Sequence, residues 1–410
     1  MLTGKGLVSN EININLIKPH SGQLEVLRST ARFKVLLCGR RWGKSVIVQA
    51  KAVTSAVEQK AVAYVTPTFA LAKIFFQEVV DLLPPQLITY NKTDLKIDFI
   101  GGGYIQFFTG ERLDLFRSRH FNLVIIDEAA FIPNLEDGWT KAIRPTLTDL
   151  KGEAIFISTP KGKDYFYQLY NKGLDELEID WESFHYTTYD NPHIDPTEID
   201  SARLDLPEAI FKQEYLAIAG ENSNTVVAMK YIEAGTLKEL STEATAVYGI
   251  DISSGANDYC VISGLSHTGK MTYFDRWRSP DFDILYNKIK ALPQDKVKVI
   301  DKTGIGTPAL HEINKSVQNV IGYTISSTTK PELIKNMILG IEQGGLKFNE
   351  HTANELSIFE YRYTSTGHIQ YGNKAGSNNY DDACISLALA YKYLPNVAIS
   401  NNFINTFGFI

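Results

Sequence analysis

The sequence predicts an α/β protein of two successive domains, each built on a sheet with helices around it. Three observations carry that prediction. Between residues 33 and 159 the short apolar segments FKVLLC, AVAYVTP, YIQFFTG, LVIIDE and EAIFIST alternate with helix-compatible stretches; this is the pattern of a mainly parallel sheet flanked by helices. Residues 220–246, GENSNTVVAMKYIEAGTLKELSTEATA, are small and polar, the composition of a linker. A second alternation begins at VYGIDIS and ends with YLP at Pro395. The expected boundaries are a first domain over 1–219, a linker over 220–246, a second domain over 247–397 and a tail over 398–410. At 410 residues the chain is long enough for separate cores, and it contains no repeat or low-complexity tract.

Composition narrows the function. Hydrophobic content of 44% and charged content of 21% are those of an ordinary globular protein. The net charge of −6 excludes a generally basic nucleic-acid coat, and from Gly249 onward 15 basic residues balance 15 acidic ones, so any DNA contact must be a local patch. Cys38, Cys260 and Cys384 are too scattered for a disulfide framework or a zinc site, and each sits in an apolar segment as a small buried residue would. The histidines lack zinc-type spacing. No apolar run approaches the roughly 18 residues of a membrane span, and the N-terminal MLTGKGLVSNEININ is polar rather than signal-like. A cytosolic protein is expected.

The first chemistry is in KVLLCGRRWGKSVIVQA. An apolar strand runs into a turn of Gly39, Arg40, Arg41, Trp42 and Gly43, and Lys44 and Ser45 open a helix. The spacing from Gly39 to Gly43 is one residue shorter than in the common phosphate loop G-x-x-x-x-G-K-[ST]. The strand–loop–helix context still aims backbone N–H groups at an anion, with Lys44 on the outer phosphates and the Ser45 hydroxyl on Mg2+. A carboxylate on a neighbouring strand should complete the site, and FNLVIIDEAAF supplies Asp127 for the Mg2+ shell and Glu128 to orient or deprotonate water. These residues together point to ATP hydrolysis.

The second chemistry is a set of aspartates in different elements. Asp251 ends the strand AVYGIDIS, Asp301 ends VKVIDKTG, and Asp381 and Asp382 start the helix DDACISLALAYKYL. Strand ends of a parallel-type sheet gather at one edge. Clustered carboxylates repel unless cations occupy them, so the natural occupants are Mg2+ or Mn2+ with oxygen ligands. Two ions about 4 Å apart would activate water against a phosphodiester. Asp258, across a turn from Asp251, is either an added ligand or a turn residue, and the sequence does not choose between Asp381 and Asp382.

With both sets in view, the chain resembles the large subunit of a tailed-bacteriophage terminase. GRRWGKS is similar to that family's shortened phosphate loop, VIIDEAAF to its second ATPase motif and FISTPKG to its coupling motif; GIDIS, VIDKTGIG and NNYDDACISLALA are similar to its three nuclease motifs. The resemblance implies an N-terminal RecA-like P-loop ATPase domain with a parallel sheet and a C-terminal RNase H-like nuclease domain. It implies ATP with Mg2+ in the first domain and two Mg2+ or Mn2+ ions in the second. It further implies that Gln23 recognises adenine, that Arg40 or Arg41 reaches the γ-phosphate, that Arg144 acts on a neighbouring subunit's nucleotide, and that Ser158 and Thr159 sense nucleotide state. The implied partners are double-stranded DNA, the portal protein of the procapsid, the terminase small subunit and further copies in a ring, a pentamer, on the portal. The implied place is the cytoplasm of the infected host, not the mature virion. Two rivals are weaker. A helicase-nuclease needs a second RecA-like domain after ISTP, where this chain turns polar; an ATP-switched DNA-binding regulator would carry the aspartates as structure only.

Overall fold

The structure, a computed structural model, describes residues 14–220, 225–252, 259–278, 281–303, 306–363, 369–373 and 380–394; Asp258 lies outside them. The chain divides into two compact units, Met1–Ser201 with Phe211–Asn222 and Ala202–Ile210 with Ser223–Ile410.

The first unit is built on β1 (Phe33–Cys38), β2 (Ala61–Thr66), β3 (Ile88–Asn91), β4 (Lys96–Phe99), β5 (Tyr104–Thr109), β6 (Leu123–Asp127), β7 (Glu153–Ser158) and β8 (Trp181–Tyr186). Their order is β3-β4-β5-β2-β6-β7-β1-β8. The run from β5 to β8 is parallel throughout, and β4 and β3 extend it antiparallel. The five segments read from sequence are β1, β2, β5, β6 and β7. Of the three others, β3 and β8 are edge strands, which need few buried residues, and β4 is four residues long with only Ile97 and Phe99 buried; β8 buries Phe184 alone of its six. Along β1 the side chains alternate between two cores. Leu36 and Cys38 pack with helices Lys44–Val57 and Phe69–Leu82, while Phe33, Val35 and Leu37 pack with Trp139 and Phe166. Because these strands are parallel, Cys38, Asp127 and Ser158 finish at one edge, the usual ligand edge of such sheets.

The second unit contains β9 (Thr236–Leu237), β10 (Thr245–Asp251), β11 (Cys260–Ser266), β12 (Met271–Trp277), β13 (Val297–Asp301), β14 (Val320–Tyr323), β15 (Phe348–Asn349), β16 (Phe359–Tyr363) and β17 (Ile369–Asn373). Its main sheet has the order β12-β11-β10-β13-β14, antiparallel from β12 to β10 and parallel from β10 to β14. That mixed order, with helices on both faces, is the RNase H-like arrangement. Tyr248, Ile250 and Ile300 face a core with Leu285 and Ile289, and Val247 and Val299 face another with Met337, Ile338 and Leu387. Asp251 and Asp301 follow that second parity. Helix Asp382–Tyr393 lies on the same face at backbone range: a Cβ at Gly249 would stand 2.0 Å from the Ser386 carbonyl oxygen and 2.5 Å from Ala390 N.

The polar stretch expected as a linker is different in the structure. Val226, Val227 and Ile232 are buried in the second core, Met229–Gly235 is helical, and β9 pairs with β15. Three aliphatics among polar residues, an adjacent pair and one five residues on, suffice to dock a segment, each fully buried one contributing about 1.5–3 kcal/mol. Ile210, inside the stretch expected to close the first domain, also belongs to that core. The three cysteines are buried and form no disulfide, as their apolar contexts predicted.

Gly249 is the tightest constraint on this face. Gly249→Val is expected to destabilise the protein by about 1–3 kcal/mol through overpacking, read as a lowered midpoint in thermal or denaturant unfolding, with Cys260→Ala as a milder comparison on the opposite core.

Candidate active sites

The turn after β1 is held open from below. Gly43 has φ +102° and Arg41 φ +63°, both left-handed, which turns the chain into the helix that Lys44 begins. Gly39 is required by close approach: a Cβ there would lie 2.3 Å from the Tyr215 carbonyl oxygen. Lys44 is buried, and its Nζ donates to the Cys38 and Gly39 carbonyls at 3.1 Å each. Its ammonium thus stands inside the loop, where a phosphate oxygen would compete for it. Ser45 follows on the same first turn, partly buried.

Three expectations for this loop change. The sequence assigns Gln23 to adenine, but its carboxamide is spent on the chain, accepting from His20 N and donating to the Gly43 carbonyl, both at 3.1 Å. Gln23 therefore braces the loop. Trp42, expected among the nucleotide contacts, is fully enclosed, stacked on Tyr186 at 4.5 Å and met edge-on by His20. Arg40 pairs with the buried Glu214, while Arg41 is exposed. Arg144 is far from the loop: its guanidinium lies 4.4 Å from the Phe33 ring, at the opposite end of β1, about 17 Å away at the rise of a strand.

Asp127 and Glu128 stand where β6 ends, one strand beyond β7. Asp127 is fully buried, with its oxygens accepting from Tyr64 Oη at 2.7 Å and Glu128 N at 2.9 Å. Burial, and then the Glu128 charge, push its carboxyl up to about 7 against the pull of Tyr64 and Lys44. Glu128 has φ +49° and accepts from Ser158 Oγ at 3.2 Å, so the end of β7 ties to the end of β6. Thr159 is buried beside it.

In the second unit the register sets the aspartates side by side. Ile250 pairs with Ile300 on parallel strands, so Asp251 and Asp301 end neighbouring strands on one face. The Asp251 carboxyl is raised well above its ordinary range, by burial first and then by the charges of Asp382, Asp301 and Asp381. Asp382 is buried, whereas Asp381 turns to Lys330, 3.0 Å from its Nζ. Lys330 also opposes the rise at Asp251, so a cation already serves this cluster from one side. Oxygen donors of like charge that draw in an ammonium are chemically suited to hard divalent ions. The sequence predicts a ready ion cage, however, and among the described residues no three His, Cys, Asp or Glu side chains are gathered closely enough to hold an ion.

Several residues escaped the sequence reading. Glu355, buried on helix Glu350–Ser357, accepts from Ala383 N at 2.8 Å and Cys384 N at 3.3 Å, clamping the first turn of the helix that carries Asp382. Burial, reinforced by Asp382, pushes its carboxyl up to about 8. Arg276 approaches its other oxygen at 3.9 Å. Nothing in EHTANELS distinguishes Glu355 from a surface glutamate. Tyr64 did leave a signal, a lone hydroxyl within a buried aliphatic strand, which needs a partner.

Comparison with known proteins bears on both units. Residues 35–233 match the family described as terminase large subunit, T4likevirus-type, N-terminal. The terminase large subunit of Thermus phage G20c is 29% identical, the match covering 91% of this chain and 87% of that protein. The large terminase ATPase domain of Thermus phage P74-26 is 30% identical over 49% of this chain and 93% of that structure, with a TM-score of 0.43. The G20c large terminase nuclease is 25% identical over 40% of this chain and 97% of that structure, with a TM-score of 0.36. With the family match on the phosphate-loop unit and a relative aligned along nearly the whole length of both, the chain is similar to phage terminase large subunits in both units.

Proposed function

We propose that this chain is the motor and the nuclease of a phage packaging machine: its first unit hydrolyses ATP to drive double-stranded DNA into a procapsid, and its second cuts concatemeric DNA. The observation that carries the reading is the presence, in one terminase-type chain, of two separate sheet edges with complementary chemistry. One holds a lysine-bearing phosphate loop beside Asp127 and Glu128, and the other gathers Asp251, Asp301 and Asp382.

In the first unit, Lys44 exchanges its loop carbonyls for phosphate oxygens, and the N–H groups opening helix Lys44–Val57 face the same charge. Ser45 and Asp127 would hold Mg2+, and Glu128, positioned by Ser158, orients the attacking water. Of the two loop arginines, Arg41 suits the γ-phosphate better, since Arg40 is committed to Glu214. Arg144, remote from its own loop, is suited to the nucleotide of a neighbouring copy. That supports a ring of subunits on the portal, with the small subunit recognising the packaging site. The place of action in this reading is the host cytoplasm, and the chain is absent from the mature virion; among the described residues no helix is long and apolar enough to cross a membrane.

In the second unit, Asp251, Asp301 and Asp382 would hold two Mg2+ or Mn2+ ions, with Asp381 released from Lys330 as a further donor. When bound, such ions supply the Lewis acidity that phosphodiester cleavage requires. The residues' own task is to present converging oxygens, and Glu355 fixes the helix start from which Asp382 projects.

Three outcomes are expected. Lys44→Ala abolishes ATP turnover and spares plasmid cleavage; equal turnover in mutant and parent would refute the phosphate-loop role. Glu128→Gln binds ATP with near-normal affinity and turns it over at least about 100-fold more slowly, measured by nucleotide titration beside phosphate release. Asp251→Asn eliminates Mn2+-dependent plasmid cutting and the rise in melting temperature that Mn2+ gives by binding the folded state alone, while ATP turnover, assayed with and without procapsids, is unchanged.

A further inference from the structure

Beside the acidic centre lies a cationic and aromatic cluster that the chemistry above does not use. The register places Asp251 opposite Val261, and Val261 opposite Arg276. Directly paired residues share a face, so Arg276 stands on the face of Asp251, two strand spacings or about 10 Å away. Its guanidinium carbon lies 3.2 Å from the centre of the Tyr259 ring, and its Nη2 approaches Glu355. Arg276 is thus directed inward.

Arg278, just beyond β12, is directed outward and is exposed. Its guanidinium carbon lies 4.1 Å from the same Tyr259 ring and 5.3 Å from the Tyr380 ring, and its Nη2 donates to Tyr380 Oη at 2.6 Å. The two tyrosines meet edge to face at 5.0 Å, and Tyr380 immediately precedes Asp381. Among the described residues Arg278 forms no ion pair, although Asp251, Asp301, Asp381, Asp382 and Glu355 are on the same unit's acidic face. Aromatic rings and a hydroxyl hold it, so its positive charge is not cancelled by a carboxylate.

We propose that Arg278, steadied by Tyr259 and Tyr380, binds a backbone phosphate of the DNA strand that the acidic centre cuts; this rests on the nuclease reading of the second unit. A centre lined by carboxylates repels a polyanion, so a strand delivered to it needs fixed positive charge close by. A guanidinium fork takes two phosphate oxygens at once, and holding its rotamer beforehand removes part of the ordering cost. The separation fits: Arg278 lies two residues beyond the register of Arg276, about 12 Å from Asp251 by strand spacing and rise, which is the rise of roughly three to four nucleotides, so Arg278 meets a phosphate a few positions from the scissile one.

The test is cleavage of supercoiled plasmid by the full chain with Mn2+ at several salt concentrations. Arg278→Ala is expected to raise KM several-fold, leave kcat within about twofold, and lower the steepness of log(kcat/KM) against log salt by about 0.9, the value of one lost phosphate contact. Arg278→Lys keeps the charge and the salt slope. Tyr380→Phe keeps the slope but raises KM, since it frees the guanidinium without discharging it. An Arg278→Ala protein with unaltered KM and salt slope, or with kcat alone reduced, overturns the proposal. Asp251→Asn cutting at full rate would instead overturn the nuclease reading beneath it, and the unfolding midpoint of every variant, compared with the parent, checks that the second unit is folded.

Discussion

An ionised carboxylate withdrawn from water costs several kcal/mol unless cations or donors meet it, and each unit of this chain puts such a group at the end of a parallel strand. Asp127 and Asp251 are both buried, and both are pushed toward the protonated form by that burial before any neighbouring charge is counted. Hydrophobic strands that finish together at one edge leave no apolar use for their last residue. The edge becomes a place where charge is expensive and a cation is welcome, which is what a phosphate-handling site with divalent ions requires.

The two units meet this constraint differently. Around Asp127 the chain supplies hydrogen-bond donors, Tyr64 Oη and Glu128 N, and a nearby ammonium in Lys44, so the carboxylate is held in one orientation. Around Asp251 the neighbours are mostly further carboxylates, and the compensation comes from Lys330, while Arg276 attends Glu355. The first arrangement favours a fixed geometry, suited to water placed against a nucleotide. The second leaves a larger electrostatic demand open, suited to ions that arrive with the substrate.

How much of this was legible follows from which forces write themselves into sequence. Strands buried on both faces must be apolar throughout, so β1, β2, β5, β6 and β7 were readable, and the aspartates that end β6, β10 and β13 stood out against them. Edge strands such as β8 bury one residue and leave no run to read. Residues 220–246 read as linker because composition averages over Val226, Val227 and Ile232, whereas packing depends on those three side chains alone. Site residues that act through tertiary contact were invisible for the same reason. Gln23 and Trp42 lie at the right distance from the loop in sequence, yet the fold uses one as a brace and the other as packing; Glu355 and Lys330 reach the acidic centre from helices whose sequences give no sign of it.

The position of β7 ties the phosphate loop to the catalytic carboxylates. It lies between β1 and β6, with Leu37 beside Ser158 and Asp127 beside Ile157, so the end of β7 is the only strand end directly adjacent to both. Ser158 spends its hydroxyl on Glu128, a residue held at a positive φ that costs about 1–3 kcal/mol in a non-glycine residue. The segment that follows, Thr159 to Gly162, leaves this strand end directly, and Gly162 at φ +130° is free of the steric limits that would hold another residue. One strand end and one hydroxyl thus join the strand that enters the loop to the strand that ends in Asp127, and the chain leaves that junction through a glycine turn.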